Sequence, residues 1–287
     1  MAAIELRNVT FVYSKDTPFE KTAVSDMTFD FERGAVIGVI GHTGSGKSTV
    51  AQMLNGLLRP TDGDVFVMGK NIWDEPKKIR EVRFKVGLVF QYPEYQLFEE
   101  TVRADISFGP KNMKLDEKEI EDCVAKAAEF VGISPDMLDR SPFELSGGEK
   151  RRVAIAGVIA MRPDVLILDE PAAGLDPRSR DEILTRISKY RAETDSTVIM
   201  ISHSMEDMAR YCDKLLVMND GKPYLYGTPG EIFSDPARIE SIGLGVPQVT
   251  KLMKRLREMG CDVSTSVYTV DDAKAEILRA LGGDVNA

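Results

Sequence analysis

Val36-Ile37-Gly38-Val39-Ile40-Gly41-His42-Thr43-Gly44-Ser45-Gly46-Lys47-Ser48 decides the fold. Its first half, Val36 to Ile40, is a short apolar run that reads as a buried strand. The rest matches G-x-x-x-x-G-K-[ST] in full. Ser48 to Leu58 then reads as a helix, stopped by Arg59-Pro60-Thr61-Asp62-Gly63. Strand, glycine-rich loop and helix follow in the order that a phosphate-binding loop requires. Gly41, Gly44 and Gly46 let the backbone curl its N–H groups around phosphate oxygens. Lys47 is expected to reach the β- and γ-phosphates of a nucleotide, and the Ser48 hydroxyl to ligate Mg²⁺. Thr43, Ser45 and Thr49 belong to the same binding segment. His42 holds a variable position in the loop and reads as backbone scaffold.

Working outward, Ile4 to Tyr13 and Met27-Thr28-Phe29-Asp30-Phe31 alternate like strands, and Val65 to Met68 and Val86 to Phe90 read as two more. From Tyr92 to about Met161 the pattern turns helical. Asp116 is an N-cap with Glu119 behind it, and Ile120, Val124, Ala127, Ala128 and Val131 form a helical stripe. Strand character returns at Val165-Leu166-Ile167-Leu168 and Val198-Ile199-Met200-Ile201, runs that suit a parallel sheet covered on both faces. The α/β core is therefore split, with a helical insertion at about 92–160. Beyond Gly227-Thr228-Pro229-Gly230, Val249, Leu252, Met253 and Leu256 recur at helical spacing, and a second amphipathic segment spans Asp272 to Leu281. Residues 1–230 are expected to form the main domain, and 231–287 a small, mostly helical appendage.

The formal net charge of −9 argues against a dedicated nucleic-acid binder, whose affinity rests on Lys and Arg neutralising phosphates. Cys123, Cys212 and Cys261 form no C-x-x-C pair, so neither a zinc site nor a disulfide framework is expected, only inert or buried thiols in a reducing compartment. Met1 to Arg7 lacks a basic region followed by an apolar stretch, so no secretory signal is expected. The longest apolar run, Val153 to Met161, is about half of what a membrane span needs. A cytosolic protein is expected, held at a membrane, if at all, by another chain.

Val165-Leu166-Ile167-Leu168-Asp169-Glu170 puts two carboxylates at the carboxyl end of a buried strand, where ligands of open α/β sheets bind. Asp169 is placed to hold Mg²⁺ and Glu170 to polarise an attacking water. Leu145-Ser146-Gly147-Gly148-Glu149 is a Ser/Gly turn leading into a helix, a backbone that offers N–H groups to an anion.

The phosphate loop, the Asp169-Glu170 strand and this turn together resemble the ATP-binding cassette (ABC) family over about residues 4–230. The resemblance implies a P-loop, RecA-like α/β core with an antiparallel β subdomain and an inserted helical subdomain. It implies that Gln91 reaches the Mg²⁺ and the attacking water, that His203 contacts the γ-phosphate, and that Tyr13 lies against adenine, with Phe11 as the competing aromatic. It further implies that Ser146, Gly147 and Gly148 contact the γ-phosphate of ATP held by a second ABC ATPase subunit, and that Asp176 of Gly174-Leu175-Asp176 couples the two ATP sites. Glu149 stands where Gln is commoner, and Ala172 where Thr or Ser is commoner; neither is expected to touch a residue with a chemical role. Lys150-Arg151-Arg152 reads as a solvated helix start.

Gln91-Tyr92-Pro93-Glu94-Tyr95-Gln96-Leu97-Phe98-Glu99-Glu100-Thr101-Val102, Lys150 to Gly157 and Gly243-Leu244-Gly245-Val246-Pro247 are similar to the ATPases of energy-coupling factor (ECF) transporters, and the phosphate loop with His42-Thr43, with the acidic Glu94 to Glu100 segment, is nearest their second, A-prime-type subunit. That resemblance implies a prokaryotic ATPase on the cytoplasmic face of the cell membrane. Its partners would be a second ABC ATPase (sibling or self), an integral-membrane coupling (T) subunit and, indirectly, a substrate-binding (S) subunit for vitamins or transition-metal ions. Glu94, Glu99 and Glu100 are expected to form an acidic groove for an arginine of the membrane partner. The appendage is expected to contact its own core or a sister subunit. A conventional binding-protein-dependent importer remains the alternative. A non-transport ABC protein acting on nucleic acid or ribosomes, or an ATP-binding scaffold, is more distant.

Overall fold

The computed structural model describes residues 2–282; Met1 and residues 283–287 of the expected segments lie outside the described residues. The chain opens with two long strands, β1 (Ala2–Tyr13) and β2 (Lys21–Glu32), then β3 (Val36–Ile40) and, after the glycine-rich loop, α1 (Lys47–Leu54). β4 (Asp62–Val67), β5 (Lys70–Asn71), α2 (Ile79–Lys85) and β6 (Val86–Val89) follow. Three helices come next, α3 (Val102–Asn112), α4 (Glu117–Val131) and α5 (Gly147–Ile159). The core resumes with β7 (Val165–Asp169), α6 (Pro177–Thr194), β8 (Thr197–Ile201), α7 (Met205–Tyr211), β9 (Lys214–Asn219) and β10 (Lys222–Gly227). Four short helices end the chain: α8 (Pro229–Phe233), α9 (Pro236–Glu240), α10 (Gln248–Glu258) and α11 (Val270–Ala280).

The strands form two sheets. β2-β1-β4-β5 is antiparallel throughout. The second has the order β10-β9-β3-β8-β7-β6, parallel except for the hairpin β9–β10 at one edge. β3, β7 and β8 are buried along their whole length, which explains their unbroken apolar sequences. Alternate residues serve opposite faces. Leu166, Leu168, Val198 and Met200 join the cluster that includes α3 to α6, whereas Ile167, Ile199 and Ile201 join Ile4, Leu6 and Phe31 of the antiparallel sheet and Met53 and Leu54 of α1. Full burial of each such side chain stabilises the fold by about 1.5–3 kcal/mol, so the central sheet is the rigid frame on which the loops are mounted.

The expected strands appear, with β2 starting six residues before Met27 and with β5, β9 and β10 as unforeseen additions. The first helix ends at Leu54 rather than Leu58. Gly56 takes φ +70° there, and the buried Asn55 amide donates to Val86 O, tying the turn to β6. α4 carries the expected capping box: Glu119 N donates to Asp116 (2.8 Å) and Asp116 N to Glu119 (3.1 Å). Of the thiols, Cys123 and Cys212 are buried, but Cys261 is exposed.

Of residues 231–287, Ile232, Phe233, Ile239, Leu244 and Val246 join the main apolar cluster, and a separate small core follows them. Met253, Val263, Val267 and Ala273 are buried together, with Val249, Leu256 and Ile277 packed around them. Tyr268 fastens it to the body, donating its hydroxyl proton to Gly230 O (3.0 Å) beside Phe233. So few apolar groups support only local stability. Met253→Ala is expected to cost about 2–5 kcal/mol of that stability. Amide exchange should quicken over residues 248–280 while β7 and β8 keep their protection.

Candidate active site

The neighbouring strands β3, β8, β7 and β6 all end on the same edge of the sheet, and their carboxyl ends deliver the glycine-rich loop, Ser202-His203, Asp169-Glu170 and Gln91. This is where an open parallel sheet presents its ligand site. Gly46 takes φ +98°, and a Cβ there would lie 2.5 Å from Ala23 O, so only glycine fits. The α1 helix that follows has no side-chain cap, which leaves its first-turn N–H groups free to bind an anion. Lys47 is almost completely buried, and its ammonium donates to Gly41 O (2.7 Å) and His42 O (2.9 Å). Burial pulls its pKa down, against the pull of Asp169 and Glu170. Ser45 is fully buried behind the loop.

Asp169 ends β7, and its carboxylate shares the cleft with the Ser48 hydroxyl. Burial raises the Asp169 pKa, while Ser48, Lys47 and His203 restrain the rise. Glu170 next to it adopts φ +53°, a left-handed conformation that costs a non-glycine residue roughly 1–2 kcal/mol. Two backbone bonds hold it there, Glu170 N to Ile201 O (2.9 Å) and Ala173 N to Glu170 O (3.2 Å). Its Oε2 accepts from the Ser202 hydroxyl (3.3 Å). Its Oε1 is buried with no hydrogen-bond partner, His203 Nε2 being 3.7 Å away. Burial raises the Glu170 pKa, opposed chiefly by His203. An unsatisfied buried carboxylate oxygen is costly, and a water entering the cleft would satisfy it.

These residues fit Mg²⁺. Ser48 and Asp169 supply adjacent oxygens, and the Gln91 amide lines the same cleft. Mg²⁺ takes few protein oxygens and completes its shell with phosphate and water. Among the described residues no cluster of three or more His, Cys, Asp or Glu offers an all-protein cage.

The cleft, about 370 Å³, also brings in Tyr13, Thr43, Gly44 and Thr49. The Tyr13 and Thr49 hydroxyls lie 3.1 Å apart. Phe11 meets Tyr13 edge-on at 4.8 Å and packs against the core, so Tyr13 is the aromatic of the cleft wall. Lys21, Ala23 and Ile201 complete the lining. Sequence reading missed them, since nothing in a strand sequence marks which residues meet a loop that folds back from elsewhere.

Ser146, Gly147, Gly148 and Asp176 do not join this cleft. Ser146 caps α5, and Asp176 caps α6 by accepting from Arg178 N and Ser179 N, both at 3.1 Å. A Cβ on Gly147 would meet nothing within 4 Å, so the turn faces open space. Three expectations need correction here. Glu149 does touch Ser146: its carboxylate accepts from Ser146 N (2.8 Å) and Oγ (2.7 Å), because the sequence forms a capping box. Arg151 is not solvated but buried at 3% exposure. Glu94 is not presented to a partner, because Arg151 holds it through Nη2 to Oε1 at 2.8 Å and Nε to Oε2 at 3.2 Å. Glu100 remains exposed and Glu99 half-buried.

Residues 24–173 match the family model described as ABC transporter. The chain is 52% identical over 283 residues to the energy-coupling factor transporter ATP-binding protein EcfA2 of Caldanaerobacter subterraneus subsp. tengcongensis, covering 99% of each. It is 53% identical over 279 residues to the protein of the same name from Clostridium acetobutylicum, covering 97% of this chain and 98% of that one. Among solved structures, cbiO1 of Clostridium perfringens, part of the ABC transporter complex cbiONQ, is 38% identical with a TM-score of 0.75, over 88% of this chain and 99% of that one. With its loop, paired carboxylates and serine–glycine turn on this fold, the chain belongs to the ABC transporter family, among the ATP-binding proteins of energy-coupling factor transporters.

Proposed function

We propose that this chain hydrolyses ATP to drive an ECF-type importer of vitamins or transition-metal ions from the cytoplasmic face of a prokaryotic membrane. The observation that carries the reading is the convergence of Lys47, Ser48, Gln91, Asp169, Glu170 and His203 in one cleft, while Ser146 and Gly147 are exposed elsewhere on the same molecule. One chain thus supplies a binding half-site and, elsewhere, an anion-binding turn suited to a second cassette, sibling or self. Among the described residues no helix is long and apolar enough to cross a membrane, so the membrane subunits are separate chains in this reading.

The chain's residues divide the work. The first-turn amides of α1 and the Lys47 ammonium cradle the phosphates of ATP and balance the charge that develops on the γ-phosphoryl group. Ser48, Asp169 and Gln91 would hold Mg²⁺, which neutralises phosphate charge when bound. Glu170, with one carboxylate oxygen unsatisfied, orients a water and accepts its proton. His203, beside Glu170, donates to the γ-phosphate oxygen and loses that contact when phosphate leaves. Tyr13 offers its ring to adenine.

The membrane coupling subunit has a fitting dock. A cleft of about 460 Å³ lies between α2 and the inserted helices α3 and α5, with Phe98 and Phe108 meeting edge-on at 5.0 Å and both exposed. Arg80 and Arg83 flank it. The exposed apolar residues Leu252 and Val270 on α10 and α11 suit a sister subunit. A conventional importer shares the catalytic residues and differs in its partners.

Glu170→Gln is expected to keep ATP affinity within about threefold while lowering kcat by 10²-fold or more, because only the proton acceptor is lost. Steady-state ATPase of the purified complex against nucleotide binding tests it, and near-normal turnover would contradict the assignment. Phe98→Ala with Phe108→Ala is expected to release the membrane subunit during purification while nucleotide binding stays intact, since exposed aromatic anchors carry much of an interface's energy.

A further inference from the structure

Arg151 is a buried cation with no part in the chemistry above, yet from the helix of one functional segment it bonds two others. It lies on α5, the helix capped by Ser146. Its guanidinium forks onto Glu94, three residues after Gln91, with Nη2 to Oε1 at 2.8 Å and Nε to Oε2 at 3.2 Å. Its Nη1 donates to Ala173 O. Ala173 in turn donates its N–H to Glu170 O (3.2 Å), in the turn that leads from Glu170 to Asp176. Side-chain exposure is 4% for Arg151 and 16% for Glu94, so water neither screens nor replaces these bonds freely.

We propose that Arg151 is a positioning residue that, through Glu94 and Ala173, holds the Gln91 segment, the Ser146 turn and the Glu170–Asp176 turn in one register. Each of those segments carries a group that meets the γ-phosphate or its water in the reading above, on which this proposal rests. A planar guanidinium with fixed donors bonds Glu94 and Ala173 at once, and its own helix carries the Ser146 turn. A displacement of Gln91 is thereby transmitted to α5 and to the Glu170 turn as one movement. The phosphate loop and α1 stand apart from this fork, so ATP binding does not depend on it.

The test uses the complete transporter complex, with Arg151→Lys, Arg151→Gln, Glu94→Gln and the double variant Arg151→Gln/Glu94→Gln. ATP affinity, KM, kcat and Tm are measured for each. Arg151→Gln is expected to lower kcat about tenfold with KM and ATP affinity changed less than about threefold. Lysine keeps the charge but cannot reach both acceptors, so Arg151→Lys should fall between, with Tm near wild type. The double variant should be no slower than the slower single one, since both act on one contact. Unchanged kcat in both Arg151 variants, or losses that multiply in the double variant, would overturn the proposal. So would a parallel fall of ATP affinity, kcat and Tm in Arg151→Lys, which marks a residue that only holds the fold. An inactive wild-type complex would overturn the ATPase reading itself, and shows before any variant is made.

Discussion

Two carboxylates and one ammonium are buried together at the carboxyl ends of the central strands, and the rest of the site is arranged around that charge problem. Burial favours the neutral form of Asp169, Glu170 and Lys47 alike. The attraction of Lys47 to the two carboxylates, together with Ser48, Ser202 and His203, offsets part of the cost, while the two carboxylates repel each other. What is left over, an unsatisfied Glu170 oxygen and uncapped α1 amides, matches what a phosphate, its metal ion and a water would supply. A site built this way is completed by its substrate, metal ion and water.

The sheet makes such a site affordable. β3, β7 and β8 are buried throughout, and both faces of the sheet are filled by separate apolar clusters. That rigidity tolerates a left-handed Glu170 and a glycine-only Gly46. Around the frame, two arginines link helices to the loops of the site. Arg151 joins Glu94 to Ala173, and Arg180 of α6 grips Asp207 (2.6 Å) and Ser204 just beyond His203. The groups that touch nucleotide sit on loops, while guanidinium forks between helices and loops set their relative positions.

The phosphate loop, the Asp169-Glu170 strand and the capped helix at Asp116 were legible because each rests on local rules of chain geometry. A strand must precede the loop, glycine must occupy φ +98°, and a box of Asp116 and Glu119 must open a helix. The β9–β10 hairpin was missed although Asn219-Asp220-Gly221 lies at its turn. Arg151 was misread for a different reason. A run of three basic residues looks solvated, and only the fold reveals that Glu94, far away in sequence, turns back to meet the middle one. Glu94 was misassigned for the same cause. Pairing between distant charged residues leaves no period in a single sequence. The Ser146–Glu149 contact, by contrast, spans a capping-box interval and was open to prediction.

The most direct test of the account is affinity purification of this chain from its native membranes, with mass spectrometry of the proteins that accompany it. An ATP-driven ECF subunit predicts a second cassette or further copies of this chain, together with an integral-membrane coupling protein and a small membrane protein that binds the cargo. A pair of conventional permease subunits with a soluble binding protein, or no membrane protein at all, would contradict it.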